Sequence, residues 1–206
     1  LRLEEARRDP YRRLAKAKGY RSRAAFKLKQ INERFKLFRK GDVVIDLGCA
    51  PGGWLQVAGE AVGPKGLVVG VDLKEVPRLG DNIITLVGDI GDPDLHDRLE
   101  SLLPRRADVA LSDLSPNVSG VWSLDHLRQI ELSRQVLALL PRLLRPGGWA
   151  VIKAFEGESL QEFVREVKAR FKKVTLVRPP ATRAKSSEVY LVAKGFLGGG
   201  HRPEDL

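Results

Sequence analysis

The stretch from Asp46 to Trp54, Asp-Leu-Gly-Cys-Ala-Pro-Gly-Gly-Trp, constrains the fold more than any other part of the chain. Before it comes Val43-Val44-Ile45, a β-branched apolar run suited to a central strand buried on both faces. After it, Trp54-Leu55-Gln56-Val57-Ala58 opens a helical pattern. Three glycines and a proline at such a junction leave bare backbone at a helix N-terminus, where a ligand can lie close. An α/β fold organised around this turn is the consequence.

The rest of the chain agrees with that reading. Strands are expected at 43–47, 67–72, 83–87, 107–113, 148–154, 172–177 and 187–193, with helices at 54–62, 93–103, 124–144 and 158–170 between them and a short element near 75–80. Pro146-Gly147-Gly148 should break the chain before the fifth strand. Alternation of this kind implies a mostly parallel sheet with helices on both faces. The last two strands lack a helix between them, so the final strand returns antiparallel. Seven strands ending in such a hairpin make the Rossmann-like architecture of class I methyltransferases.

Charge divides the 206 residues unevenly. The chain carries a net +10, yet residues 1–41 hold 15 Lys/Arg against 4 Asp/Glu, and the remainder is close to neutral. Helices are expected at 10–18 and 22–35, with Gly19 ending the first and Ser22 capping the second. Ala25, Leu28, Ile31 and Phe35 form a packing face, and Lys27 lies off it. The expected organisation is a basic helical segment, 1–41, docked on a body at 42–196, with a loose glycine-rich tail at 197–206. A basic appendage on a neutral body points to a polyanionic partner, nucleic acid above all. Arg7, Arg8, Arg12, Arg13, Lys16, Lys18, Arg21 and Arg23 would form its floor, extended by Arg183 and Lys185. The single cysteine, Cys49, rules out an internal disulfide, and the three histidines have no cysteine neighbours at zinc spacing. The expectation is a cytoplasmic monomer without metal or membrane segment.

Two carboxylates stand beside the glycine turn. Asp72 ends the second strand 24 residues after Gly48, about where an acid reaches ribose hydroxyls, and Asp89 ends the third, in reach of an adenine amino group. The glycines at 48, 52 and 53 do not match the dinucleotide fingerprint, and no P-loop lysine or basic side chain awaits a diphosphate. This argues against a nicotinamide-dependent oxidoreductase. An adenosine cofactor without phosphates, such as S-adenosylmethionine, suits the turn better.

Four further charges sit at separate element ends: Lys27 in Ser-Arg-Ala-Ala-Phe-Lys-Leu, Asp113 in Ser-Asp-Leu-Ser-Pro-Asn, Lys153 in Val-Ile-Lys-Ala-Phe and Glu188 in Ser-Glu-Val-Tyr. With the glycine turn these segments stand in one order, and the chain resembles the FtsJ/RrmJ family of S-adenosylmethionine-dependent RNA ribose 2′-O-methyltransferases from about Gly19 to Gly195. The resemblance implies a catalytic tetrad of Lys27, Asp113, Lys153 and Glu188. It implies cofactor contacts at Gly48, Gly52, Trp54, Asp72, Asp89 and Asp113. Lys153 is then the proton acceptor for a ribose 2′-hydroxyl, a task open only to its neutral amine; a charged Lys153 would instead orient the hydroxyl. The implied substrate is a uridine of large-subunit ribosomal RNA, with a tRNA anticodon loop as the alternative. A non-catalytic RNA-binding assembly factor is the reading from another class.

Overall fold

A computed structural model describes residues 9–198. Arg7, Arg8 and the part of the expected tail from 199 onward lie outside the described residues. The elements run α1 (Pro10–Ala17), α2 (Ala24–Phe35), β1 (Val43–Leu47), α3 (Gly53–Val62), β2 (Leu67–Asp72), β3 (Ile83–Val87) and α4 (Pro93–Leu102). They continue β4 (Ala107–Ser112), α5 (Trp122–Leu143), β5 (Leu144–Phe155), α6 (Leu160–Lys168), β6 (Phe171–Val177) and β7 (Glu188–Phe196).

The seven strands form one sheet in the order β3-β2-β1-β4-β5-β7-β6. Only β7 is antiparallel to its neighbours. Strand order reverses between β1 and β4, and this switch point fixes where a ligand crevice opens, at the carboxyl ends of those strands. Every residue of β1 is buried. Val43, Ile45 and Leu47 pack with α4, α5 and α6 on one face, while Val44 packs with α1, α2 and α3 on the other. That two-sided burial is why the run is apolar throughout instead of alternating. Among the described residues no helix is long and apolar enough to cross a membrane.

Four local expectations need correction. Ser22 does not cap α2: Arg23 occupies that position without a side-chain cap, and the Ser22 hydroxyl packs where a side chain on Gly53 would stand. No helix or strand forms at 75–80. The segment is held irregular by buried Val76, whose carbonyl accepts from the Thr85 hydroxyl at 3.2 Å, and by Arg21 donating to the Pro77 carbonyl at 3.1 Å. Pro146-Gly147-Gly148 does not end an element. Register moves from Ala107↔Leu144 to Val109↔Trp149, so the tripeptide is accommodated as a bulge within β5. Finally, α5 begins at Trp122, two residues before the expected start.

The N-terminal helices are fastened to the sheet by specific bonds. Asp9 caps α1, accepting from the Tyr11 and Arg12 amides, and also pairs with Arg23 and Arg183. The Trp54 indole donates to the Ala24 carbonyl at 2.9 Å, and Gln30 accepts from the Ala181 amide at 2.8 Å. Tyr11 and Tyr20 pack on Phe26 with centroids 5.6 and 5.7 Å apart. Together these bonds present Lys27 from α2 to the sheet.

At the opposite end of the sheet, buried Asp108 joins β1 to the β5 bulge. It accepts from the Val43 amide at 2.8 Å and pairs with Arg145 at 2.6 Å and Arg105 at 2.7 Å. Burial alone would raise its pKa, but the two guanidiniums and the amide hold it below the ordinary carboxylate range. A depressed folded pKa means the contribution is complete above the unfolded value of about 3.9 and is lost as pH falls through the folded one. Asp108→Asn should therefore cost about 2 kcal/mol near neutrality. Urea midpoints of the two proteins should converge below about pH 4; a gap that persists in acid would show that the charge is not responsible.

Candidate active site

The turn after β1 is built by close chain approach. The Gly48 and Cys49 amides both donate to the Val71 carbonyl, at 2.8 and 3.1 Å. Gly48 has φ +86, and a Cβ there would stand 2.6 Å from the Leu114 side chain. Gly52 has φ +110, and a Cβ there would meet Leu79 at 2.8 Å. These glycines therefore admit neighbouring loops as much as any ligand, a use of small residues not expected from sequence. Cys49 is buried, and burial together with Asp46 and Asp72 pushes its thiol well up. It packs as a small apolar side chain.

Asp72 spends both carboxylate oxygens on backbone amides, Ala50 at 2.9 Å and Lys74 at 3.0 Å, and so fixes the turn's geometry. Asp89 lies exposed past the end of β3 and accepts from the Gly91 amide at 2.8 Å. Trp54 is buried with its ring 5.7 Å from that of Tyr190. It lies between the turn and the charged cluster described next.

The four charges that the sequence places on separate elements come together. Lys27 from α2 pairs with Glu188 at the start of β7 at 2.6 Å. Lys153 from β5 donates to the Asp113 carbonyl at 2.8 Å and lies 3.4 Å from the Asp113 carboxylate and 3.9 Å from Glu188. Both lysines are buried, Lys27 8% and Lys153 4% exposed. Burial would raise the Glu188 pKa, yet Lys27 and Lys153 hold its carboxyl below the ordinary value, so it stays charged beside them.

Tyr190 links the two halves, and sequence reasoning missed it. Its hydroxyl donates to Asp113 at 2.8 Å and accepts from Lys27 at 3.1 Å. Burial first, then the Asp113 and Glu188 charges, push its phenol well above the ordinary value, so it remains a donor. The available signal was the period of two, which puts Tyr190 on the same side of β7 as Glu188.

Two buried residues of α5 were also missed. Gln129 donates to the Leu114 and Lys153 carbonyls at 3.1 and 3.2 Å, and the Ser133 hydroxyl lies 2.8 Å from the Lys153 carbonyl. They hold the backbone that carries Lys153 and the loop after Asp113. Asp46 is the fourth omission. It is fully buried near the end of β1, and neither carboxylate oxygen has a hydrogen-bond partner among the described residues. Burial, with Asp113 and Asp72 nearby, pushes its pKa well up.

The expected basic floor is partly spoken for. Arg21 donates to the Pro51 and Pro77 carbonyls, and Arg23 binds Asp9 and the Ala181 carbonyl. Arg12, Arg13, Lys16 and Lys18 are exposed and make no ion pair among the described residues. Arg183 and Lys185 are exposed in the loop before Glu188.

Comparisons with known proteins agree with this arrangement. The family model for the FtsJ-like methyltransferase matches residues 20–196. A ribosomal RNA large subunit methyltransferase E of Methanothrix thermoacetophila is 46% identical over 199 residues, 97% of this chain and 77% of that protein. Its counterpart in Halorubrum lacusprofundi is 50% identical over 191 residues, 92% and 71% of the two chains. Among solved structures, one described as a ribosomal RNA methyltransferase of Plasmodium falciparum superposes with a TM-score of 0.79 at 30% identity, covering 87% of this chain and 100% of that one. The chain belongs to the FtsJ-like methyltransferase family.

Proposed function

We propose that the protein is an S-adenosylmethionine-dependent RNA ribose 2′-O-methyltransferase acting on large-subunit ribosomal RNA, at a uridine. The observation that carries this reading is the Lys27–Glu188 pair and the Lys153–Asp113 contact, bridged by Tyr190 at the carboxyl ends of β4 and β5 and the amino end of antiparallel β7. The names of the relatives supply the ribosomal substrate.

The residues present fit the cofactor. Asp72 and Asp113 lie near enough to Asp46 for their charges to raise its pKa, and the two buried Asp46 oxygens have no partner among the described residues. Such a site suits a ligand that is cationic and lacks phosphates. When bound, the cofactor supplies an activated methyl group on a sulfonium. Asp72, whose oxygens keep lone pairs beyond the Ala50 and Lys74 amides, would receive the ribose hydroxyls, Asp89 would receive the adenine amino group, and Gly48, Gly52 and Trp54 would line the turn. Lys153 takes the 2′-hydroxyl proton at Nζ. Glu188 and Tyr190 hold Lys27 beside it, Asp113 positions Lys153, and Gln129 with Ser133 fixes the strand beneath.

Transfer of labelled methyl from S-adenosylmethionine to unmodified large-subunit ribosomal RNA tests the reading. The product should be a 2′-O-methylnucleotide, recognised by its resistance to alkaline cleavage. Label in transfer RNA alone would move the substrate to the anticodon loop. No label in either RNA would leave a binding role only.

The exposed α1 cations make a second expectation. Neutralising Arg12, Arg13, Lys16 and Lys18 together should reduce the slope of log K against log salt by about 3, at roughly 0.7 for each phosphate of single-stranded RNA that is no longer neutralised. The measurement is RNA affinity across a salt series; an unchanged slope would place the RNA elsewhere.

A further inference from the structure

Among the described residues one large aromatic side chain is exposed, and it stands near the tetrad. Trp122, the first residue of α5, is 53% exposed. Val118 is 70%, Val121 57% and Leu127 55% exposed, so the loop after Asp113 and the first turns of α5 present apolar surface to water. Exposure on that scale in one place marks an interaction surface.

Trp122 packs against two aromatic rings. Its ring stacks on Phe155 with centroids 6.3 Å apart at 13°, and on His126 at 6.4 Å and 23°. Both partners are buried. His126 Nε2 accepts from the Ser159 amide at 3.1 Å, and Gly157 packs so close to its ring that an added Cβ would stand 2.6 Å away. Phe155 pairs in register with Glu188 and lies two residues beyond Lys153 on β5. The platform therefore touches the same strand ends that carry the tetrad.

We propose that Trp122, backed by Phe155 and His126, is a stacking platform for an unpaired base of the RNA substrate next to the ribose being methylated. The proposal rests on the RNA methyltransferase reading. A ribose hydroxyl reaches lysines buried to 4–8% exposure only if its nucleotide leaves the stack. A displaced base loses its stacking partners, and a fixed aromatic face replaces them whatever the base. Exposed Arg128 on α5 and Lys185 before Glu188 supply cations for the adjoining backbone, with Arg183 exposed beside them but paired to Asp9. That charge favours RNA over an apolar protein partner.

Two measurements on the full chain test it. Oligouridylate should quench tryptophan fluorescence in the wild type and much less in Trp122→Phe, while an abasic ribose-phosphate oligomer should quench neither. With unmodified large-subunit ribosomal RNA, Trp122→Ala should raise KM about 10-fold, Trp122→Phe should recover most of the loss, and S-adenosylmethionine affinity should stay unchanged. Equal quenching in wild type and Trp122→Phe, or an unaltered KM in Trp122→Ala, overturns the platform. An unaltered KM with lost capture of a ribosomal protein would assign the patch to protein contact and overturns it equally. If the wild type methylates no RNA at all, the proposed function fails, and the quenching comparison still decides the platform.

Discussion

Lys153→Ala should lower kcat by about 10³-fold or more while S-adenosylmethionine binds with nearly unchanged affinity. The ribose 2′-hydroxyl is a weak nucleophile and must shed its proton as it attacks, so removing the acceptor removes a step that water in a buried site replaces poorly. Lys153 is placed for this by three independent constraints. Its Nζ donates to the Asp113 carbonyl, its own carbonyl is held by Gln129 and Ser133, and Phe155 two residues on is locked to Glu188 by strand pairing. Lys153→Arg separates the two roles open to it. It keeps the positive charge but gives a group that does not deprotonate near neutrality. Base catalysis predicts that Arg fails to rescue; a role limited to orienting the hydroxyl predicts partial rescue. Single-turnover methyl transfer and cofactor titration on both variants make the comparison, and wild-type turnover in Lys153→Ala would remove lysine from the reaction.

The sequence made the scaffold legible because its strands are short, apolar and bounded by turn residues. The bounds of β1, β2 and β3 agree to the residue, and the antiparallel return of β7 follows from the missing helix before it. Of the four charges in the cluster, Lys153 was legible for a related reason, since an unpaired ammonium near the end of a buried strand is costly, while the set of four came from the family resemblance. Their partners were less so. Tyr190 reads as one more aromatic in an apolar strand, and only its hydroxyl's neighbours make it the bridge. Gln129 and Ser133 look like ordinary polar positions on a long helix until α5 packs over the carbonyl of Lys153. Arg21 and Arg23 show the reverse error. Local composition counts them as free cations, whereas tertiary contacts commit them to backbone carbonyls and to Asp9. What sequence patterns miss is contact between elements far apart in the chain.

Asp46 gives the second large effect, because its charge opposes the cofactor-free fold and favours the bound one. The carboxyl is fully buried, has no hydrogen-bond partner among the described residues and lies near Asp113 and Asp72, so burial first and repulsion second raise its pKa well above the ordinary value. For an acid whose folded pKa is raised, the folded state favours the neutral form. Stability is then lost progressively as pH rises from the unfolded value of about 3.9 toward the folded one. Asp46→Asn, nearly the same shape without the proton equilibrium, should make the cofactor-free protein more stable at neutral pH. The same substitution removes a buried negative charge from a site proposed to take a cation. Truncating one member of a buried charge pair costs about 3 kcal/mol, so S-adenosylmethionine affinity should fall about 100-fold. Binding should also release a proton in the wild type as Asp46 ionises beside the cation, and release none through this group in Asp46→Asn. Calorimetry in buffers of different ionisation heat reads the proton directly, and thermal unfolding without cofactor reads the stability. A variant that is less stable and binds the cofactor as tightly as the wild type would show that Asp46 serves the packing of the turn and does not face the ligand.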